Sequence, residues 1–442
     1  MNKSVIKNFL RLTMIVVLLF CQRTWAELVV EVTRGQADAI PIAIVPFASA
    51  ELAAASFDVA RLVSDDLARS GRFKAMDRKD MLEVPHAGSS IIFDDWRRLG
   101  SDYILVGSMQ PQGSEQPVGQ ERYDITYELY NVLNRQRLLG YQISTNRAGL
   151  RLAGHQVADM VFEKILGIRG AFATRIAYIS VLGRLPNKNY RLIVADADGE
   201  NPHVVMQSNE PLMSPAWSPD GQSLAYVSFE GRLPSIYVQQ LKTGERHIVS
   251  AKAGVNQAPA WSPDGKKLAL TLSTRNGNLD VYVLDLATHG LSRITDDPAI
   301  DTEPQWSKDG KSLYFTSDRA GGPQIYRIAL GAGERPQRLT FQGSYNARPR
   351  LSPDESQLAF VTQEEGAYRI ATLDLRARSA VQVLSKGHFD VSPSYAPNGA
   401  VIIYASRDHG RGVLALVSAD GHVQQRLVSS EGEVQEPAWA PF

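Results

Sequence analysis

Short runs in which apolar residues alternate with polar or small ones recur through the second half of the chain: "LAYVS" at Leu224, "LALTL" at Leu268, "LYFT" at Leu313, "LAFVT" at Leu358 and "VIIYA" at Val401. Their length and their β-branched and aromatic content predict strands. Four of these runs are followed by another, "IYVQQL" at Ile236, "VYVLDL" at Val281, "IYRIAL" at Ile325 and "YRIATLDL" at Tyr368, and then by a weaker strand such as "RHIVS" at Arg246. Ahead of each comes a phrase with a bulky anchor and a tight turn: "PAWSPDG" at Pro215 and Pro259, "PQWSKDG" at Pro304, "PRLSPDE" at Pro349 and "PSYAPNG" at Pro393.

The anchors are Trp217, Trp261, Trp306, Leu351, Tyr395 and Trp439, spaced 44, 45, 45, 44 and 44 residues apart. Four strands in a unit of that size predict a propeller blade. Proline presets φ and glycine accepts positive φ, so Asp220, Asp264, Asp309 and Asp354 are expected to form turns rather than bind calcium. One further unit, "RIAYIS" at Arg175, "YRLIVADADG" at Tyr190 and "HVVMQ" at His203, lacks an anchor strand, and "EPAWAPF" at Glu436 is an anchor phrase with nothing after it. Pairing the two closes six blades into a ring and removes an exposed sheet edge.

Residues 27–167 do not repeat and read as an α/β domain preceding a propeller over 168–442. "LVVEV" at Leu28, "IAIVPF" at Ile42, "YILVGSM" at Tyr103, "YDITYELYNV" at Tyr123 and "LLGYQIST" at Leu138 predict strands, the last two a hairpin around Asn134–Gln136. Val59, Leu62, Val63 and Leu67 predict a helix capped by Ser56 or Asp58 and ended by Gly71. A second amphipathic helix from Leu150 turns Val157, Val161, Ile165 and Leu166 inward and stops at Gly167. Residues 1–26 carry Lys3, Lys7 and Arg11, then the apolar run "LTMIVVLLFC", then Ala26; this is a secretory signal pattern, about half the length that spans a bilayer. Cys21, the one cysteine, falls within it, so no disulfide or thiol chemistry is expected after cleavage.

Forty-seven basic residues balance forty-seven acidic ones, which gives no long-range field for nucleic acid or anionic lipid. No Gly-x-Ser-x-Gly elbow, His-Glu-x-x-His pair or phosphate loop occurs. His155, Asp159 and Glu163 share a helical face at i, i+4 spacing, a conceivable metal set that is read instead as the solvated face of its helix. The expectation is a non-enzymatic protein with no cofactor and no metal. What remains is surface: the segments before the anchors, "NEPLM" at Asn209, "AGVNQ" at Ala253, "PAIDTE" at Pro298, "GSYNAR" at Gly343, "KGHFDV" at Lys386 and "EGEVQE" at Glu431, emerge on one face around the channel. Convergent loops on a rigid scaffold predict a binding site.

The junction "GIRGAFATRIAYIS", the phrases "PLMSPAWSPDG", "TEPQWSKDG" and "LYFTSDRAGGPQIYRI", and the ending "EPAWAPF" together resemble the TolB family, periplasmic components of the Tol-Pal system. That resemblance implies a monomeric, non-enzymatic adaptor between the C-terminal domain of TolA and the peptidoglycan-associated lipoprotein Pal, serving outer-membrane integrity and constriction at cell division. Bacteriocins that exploit the Tol system are further partners it implies. Carried onto this chain, the Pal-binding face comprises Leu212, Met213, Val255, Asn256, Ala258, Thr302, Glu303 and Asp390, and the TolA-binding N-terminus comprises Glu27, Leu28, Val29, Val30, Glu31, Val32, Thr33 and Arg34. Where family members can carry His-Asn before the second anchor, this chain has Val255-Asn256. The alternatives are a propeller accessory to peptidases and a sugar- or ion-binding periplasmic propeller.

Overall fold

The computed structural model describes residues 28–34, 39–49, 57–113, 121–184, 186–273, 277–331, 333–377, 381–429 and 432–442. The expected leader, its cleavage point and Glu27 lie outside them.

Six antiparallel blades form the ring. Blade two illustrates the plan, with strands Leu212–Trp217, Ser223–Ser228, Ser235–Gln240 and Arg246–Ser250 running from channel to rim. Blades three to six repeat it, with inner strands Asn256–Trp261, Asp301–Trp306, Asn346–Leu351 and Val391–Tyr395. Blade one is made of Arg175–Leu182, Asn189–Asp196 and His203–Ser208, and its inner strand is Glu433–Trp439 from the chain end. Trp439 pairs opposite Ile176 and Val434 opposite Ser180, which is the closure expected from the interrupted repeat. Alternate residues of each strand point to opposite faces, so the cores lie between blades: Ile176 and Tyr178 of blade one pack with Ile403, Leu414 and Leu427 of blade six. Fully burying such a side chain contributes about 1.5–3 kcal/mol, more than a strand hydrogen bond.

The turn aspartates act as expected. Asp220 Oδ1 accepts from Ser218 Oγ at 2.5 Å and from the Gln222 amide at 3.0 Å, and Asp264, Asp309 and Asp354 repeat the pattern with Ser262, Ser307 and Ser352. Gly221, Gly265 and Gly310 follow at φ 65, 69 and 68°. In blade five Glu355 stands in the glycine's place at φ 55°, and its carboxylate accepts the Lys308 amide of blade four at 2.6 Å.

The N-terminal domain is a mixed sheet in the order Phe73–Ala75, Ile40–Ile44, Tyr103–Pro111, Arg122–Asn131, Gln136–Asn146. Alternation along Ile42–Val45 splits the domain into two cores. Ile42 and Ile44 face α1 (Val59–Arg69) and α3 (Leu150–Leu166), while Ala43 and Val45 face Trp96 of α2 (Phe93–Arg98). Asp58 caps α1 by accepting the Arg61 amide at 2.9 Å, and Gly167, at φ 71°, ends α3. Val157 and Val161 are fully buried, with Ile165 and Leu166 packed beside them.

The strand Leu28–Arg34 does not join the domain's own sheet. It adds a fifth strand to the rim of blade six, antiparallel to Gln424–Ser429, from Leu28 opposite Ser429 to Arg34 opposite Gln424. A strand edge left open on a blade's rim is a template for pairing, and here Leu28–Arg34 occupies it.

The domain sits on the turn face of the ring, over blades six and one. Gln425 Nε2 donates to the Arg69 carbonyl, Asn398 Nδ2 to the Arg169 carbonyl at 3.0 Å, and Arg151 Nε to Asp196 at 2.7 Å. His155 is drawn into this seam and is 1% exposed. The solvated face expected for His155 is therefore corrected: blade one covers that side of α3. Asp159 is half-buried and accepts the amides of Phe172 and Ala173 at 2.7 and 3.1 Å, which fixes the linker into the ring; Glu163 alone of the three is exposed.

Candidate partner-binding surfaces

Leu212 pairs with Ser228, Asn256 with Leu272 and Asp301 with Ser317, so the pre-anchor segments and the hairpins between second and third strands open together on the face away from the N-terminal domain. Two features of the inner strands build that face, and neither was read from the sequence.

The first lies five residues before each anchor. Leu212, Asn256, Asp301, Asn346, Asp390 and Val434 are all buried. Asn256 Oδ1 accepts from Ser250 Oγ at 2.7 Å and from the Lys252 amide at 3.0 Å, while its Nδ2 donates to the Lys252 carbonyl at 2.7 Å. Asn346 donates to the Gln342 carbonyl at 2.7 Å, and Asp390 accepts the Gly387 amide at 2.8 Å and Ser406 Oγ at 2.6 Å. Each folds its own pre-anchor loop back onto the blade. Aligning the repeats on their anchors would have exposed this column, which holds Asn or Asp in four of its six places.

The second lies three residues before each anchor. Ser214, Ala258, Glu303, Arg348, Ser392 and Glu436 all take φ between 51 and 57°, each within a register shift of its inner strand. A left-handed non-glycine residue costs about 1–2 kcal/mol. The turned amides recover it by bonding the preceding blade: Glu303 N–H donates to Thr271 Oγ1 at 3.1 Å, Arg348 N–H to Thr316 Oγ1 at 3.0 Å, and Ser214 N–H to the Glu436 carboxylate. With no glycine at these positions, nothing in the sequence marked them.

The structure thus sorts the expected face residues. Leu212, Asn256 and Asp390 lie inside the blades and shape the loops. Met213 is partly buried against the core between blades two and three. Val255, Ala258, Thr302 and Glu303 are half-exposed along blades three and four. Thr302 Oγ1 accepts from Gln257 Nε2 at 3.3 Å, and Glu303 pairs with Arg348 Nε at 2.6 Å inside the channel. Farther round the same face, Tyr345, Tyr368 and Phe389 form an edge-to-face ridge with ring centres 5.3 and 5.9 Å apart, and the Arg407 guanidinium lies 4.6 Å from the Phe389 ring. Phe389 is 38% exposed. Of the expected N-terminal residues, Leu28–Arg34 form the rim strand of blade six, and the strand's Leu28 end points toward the loop-bearing face. Among the described residues no helix is long and apolar enough to cross a membrane.

Known proteins resemble this chain over nearly its whole length. A family model described as the TolB amino-terminal domain matches residues 28–138, and one described as the TolB beta propeller domain matches residues 162–442. A Tol-Pal system protein TolB from Methylococcus capsulatus is 51% identical, with all of both chains covered, and one from Nitrosococcus oceani is 47% identical, with 97% of each covered. The crystal structure of TolB from Acinetobacter baumannii superposes with a TM-score of 0.86 at 40% identity, covering 94% of this chain and 100% of that one.

Proposed function

The chain belongs to the TolB family of the Tol-Pal system, and from that premise we propose that it is a periplasmic, non-enzymatic adaptor that holds Pal on its pre-anchor face and offers its N-terminal strand to the C-terminal domain of TolA. The observation that carries the reading is the pre-anchor face itself. Its loops are tied back by buried Asn and Asp side chains, it faces away from the N-terminal domain, and it presents half-exposed Thr302 and Val255 at one side and the Phe389 ridge at the other. Preformed loops lose little freedom on docking, and a partly exposed aromatic beside a guanidinium suits an interface anchor.

The N-terminal strand fits capture by strand addition. Its main-chain bonds to blade six are of the kind a partner's sheet edge would supply equally well. Exchange of that edge from blade to partner is a two-state element that Pal docking biases.

Calorimetric titration with purified Pal and with the TolA C-terminal domain tests both halves. Thr302→Ala and Phe389→Ala are expected each to weaken Pal binding by about 1–2 kcal/mol, as truncation near an interface centre does. Parental Pal affinity in the double variant would move the site off this face. A chain starting at Gly35 is expected to lose TolA binding while keeping Pal; retained TolA affinity would refute strand capture.

A further inference from the structure

α3 delivers the His155 imidazole into the seam between α1 and blade one. Its Nδ1 lies 2.6 Å from Asp66 Oδ2 of α1. A carboxylate acceptor there places the proton on Nδ1 and leaves the lone pair on Nε2. Nε2 finds no hydrogen-bond partner among the described residues. It faces Asp196 Oδ2 and Asp198 Oδ2 of blade one, each 3.9 Å away, too far for a hydrogen bond. A buried nitrogen lone pair aimed at two carboxylate oxygens is unfavourable unless a cation stands between them.

We propose that this seam is a divalent metal site of the zinc class, with His155 Nε2, Asp196 and Asp198 as ligands and Asp66 holding the imidazole from behind. Ligand atoms of Asp66, His155 and Asp198 already lie within 4.8 Å of one another. Bonds of about 2.0–2.2 Å to a tetrahedral ion set donor atoms roughly 3.4 Å apart, so Nε2 need approach each of the two oxygens by only about half an ångström. An imidazole with two carboxylates selects a borderline ion such as zinc over calcium or magnesium.

Arg151 is the group that yields. Its guanidinium bonds Asp196 and Asp198, but its side chain is 22% exposed and has a path to solvent, whereas Arg69, bonded to Asp66 and 3.6 Å from Asp198, is 10% exposed. With the ion in place, three carboxylates are balanced by the dication and Arg69, and His155 stays neutral. With Arg151 in place, one negative charge remains on the cluster. Ion and Arg151 therefore exchange on the same oxygens, and the bound ion staples α1 and α3 to blade one.

The test uses the full chain, produced with its own leader and purified without a histidine tag, stripped with a chelator and titrated with zinc chloride. One zinc per chain is expected, with at least a tenfold loss of affinity in His155→Asn and in Asp198→Asn. Arg151→Ala is expected to bind zinc several-fold more tightly, because its competitor is gone. Cobalt(II) in the unaltered chain keeps the test independent of whether the variants fold: the intense visible bands of a four-coordinate ion are expected. No stoichiometric zinc uptake, only the weak spectrum of hydrated cobalt, unchanged uptake in His155→Asn, or no gain in Arg151→Ala would each overturn the proposal.

Discussion

Trp217 and Ala438 stand 221 positions apart in the chain, and the indole N–H of Trp217 donates to the carbonyl oxygen of Ala438 at 3.0 Å. The same bond runs from Trp261 to Ala216 at 3.1 Å and from Trp306 to Ala260 at 3.0 Å. The joint that closes the ring is built like the joints inside it. Leu351 and Tyr395 have no indole and cannot repeat it, and Trp439 turns its N–H to Thr174 Oγ1 at 2.8 Å, tying the last strand to the interdomain linker.

Removal of Glu436–Phe442 is expected to open the ring. It strips blade one of most of its inner strand, leaves the Trp217 donor unpaired and deletes Trp439. Calorimetry should show the parental cooperative transition lost or strongly lowered in temperature, and an unchanged melt would rule out closure by the C-terminal strand. Trp217→Phe, which removes the donor and keeps most of the ring's bulk, is expected to cost only about 1–2 kcal/mol.

Asn256→Ala is expected to destabilise the fold by about 1–3 kcal/mol, because it takes their partner from the buried Ser250 hydroxyl and from the Lys252 carbonyl and amide. It should also raise amide exchange in the loop around Lys252, with weaker Pal binding as a consequence of loop disorder. Urea unfolding and hydrogen exchange measure the two effects; a stable variant with a protected loop would show that the Asn256 bonds do not hold it.

Thr302 and Glu303 are adjacent, yet their substitutions should behave differently. Glu303 accepts Arg348 Nε at 2.6 Å, the Arg348 amide at 3.0 Å and Thr316 Oγ1 at 3.0 Å, while the Thr302 hydroxyl makes, among the described residues, only two 3.3 Å contacts. Glu303→Ala is expected to cost about 1–3 kcal/mol by removing the carboxylate that Arg348 pairs with in the channel and leaving its guanidinium the Ser392 hydroxyl, and Thr302→Ala less than about 0.5 kcal/mol. Equal unfolding midpoints for the two variants would contradict this. Thr302, not Glu303, is the clean probe of partner binding.

Asp159 makes stability fall as pH rises. Burial pushes its carboxyl up to about 6, against the pull of the Phe172 and Ala173 amides, from an ordinary 3.8. Between those values the folded chain holds a proton that the unfolded chain has lost, so the folded state loses relative stability from pH 4 to pH 6, by up to about 3 kcal/mol, and no further above it. Asp198 runs the other way: burial would raise it, but the Arg69 and Arg151 guanidinium groups hold it below the usual range, so its contribution is lost only as pH falls below about 3.8. Chemical denaturation of the parent and of Asp159→Asn across pH 4–7 should give curves that diverge between pH 4 and 6. Parallel curves would remove Asp159 as the cause.

Much of this fold was legible because a repeat states its own geometry. The 44- and 45-residue spacings of Trp217, Trp261 and Trp306, the Pro-Asp-Gly turns and the unfinished phrase at Glu436 determined six blades and their closure, since each depends on local propensity and on counting. The capped helices at Asp58 and Gly167 and the hairpin at Asn134 were local in the same sense. Tertiary structure alone decided what depends on distant partners. His155 reads as a surface residue because its own helix cannot reveal that blade one covers it, more than 40 residues later in sequence. The left-handed bulges at Ser214, Glu303 and Arg348 carry no glycine because their strain is offset by neighbouring blades, not by their own side chains. Leu28–Arg34 advertises a strand by its alternation, but an edge strand carries no record of which edge it will meet, and only the ring's assembly supplied blade six.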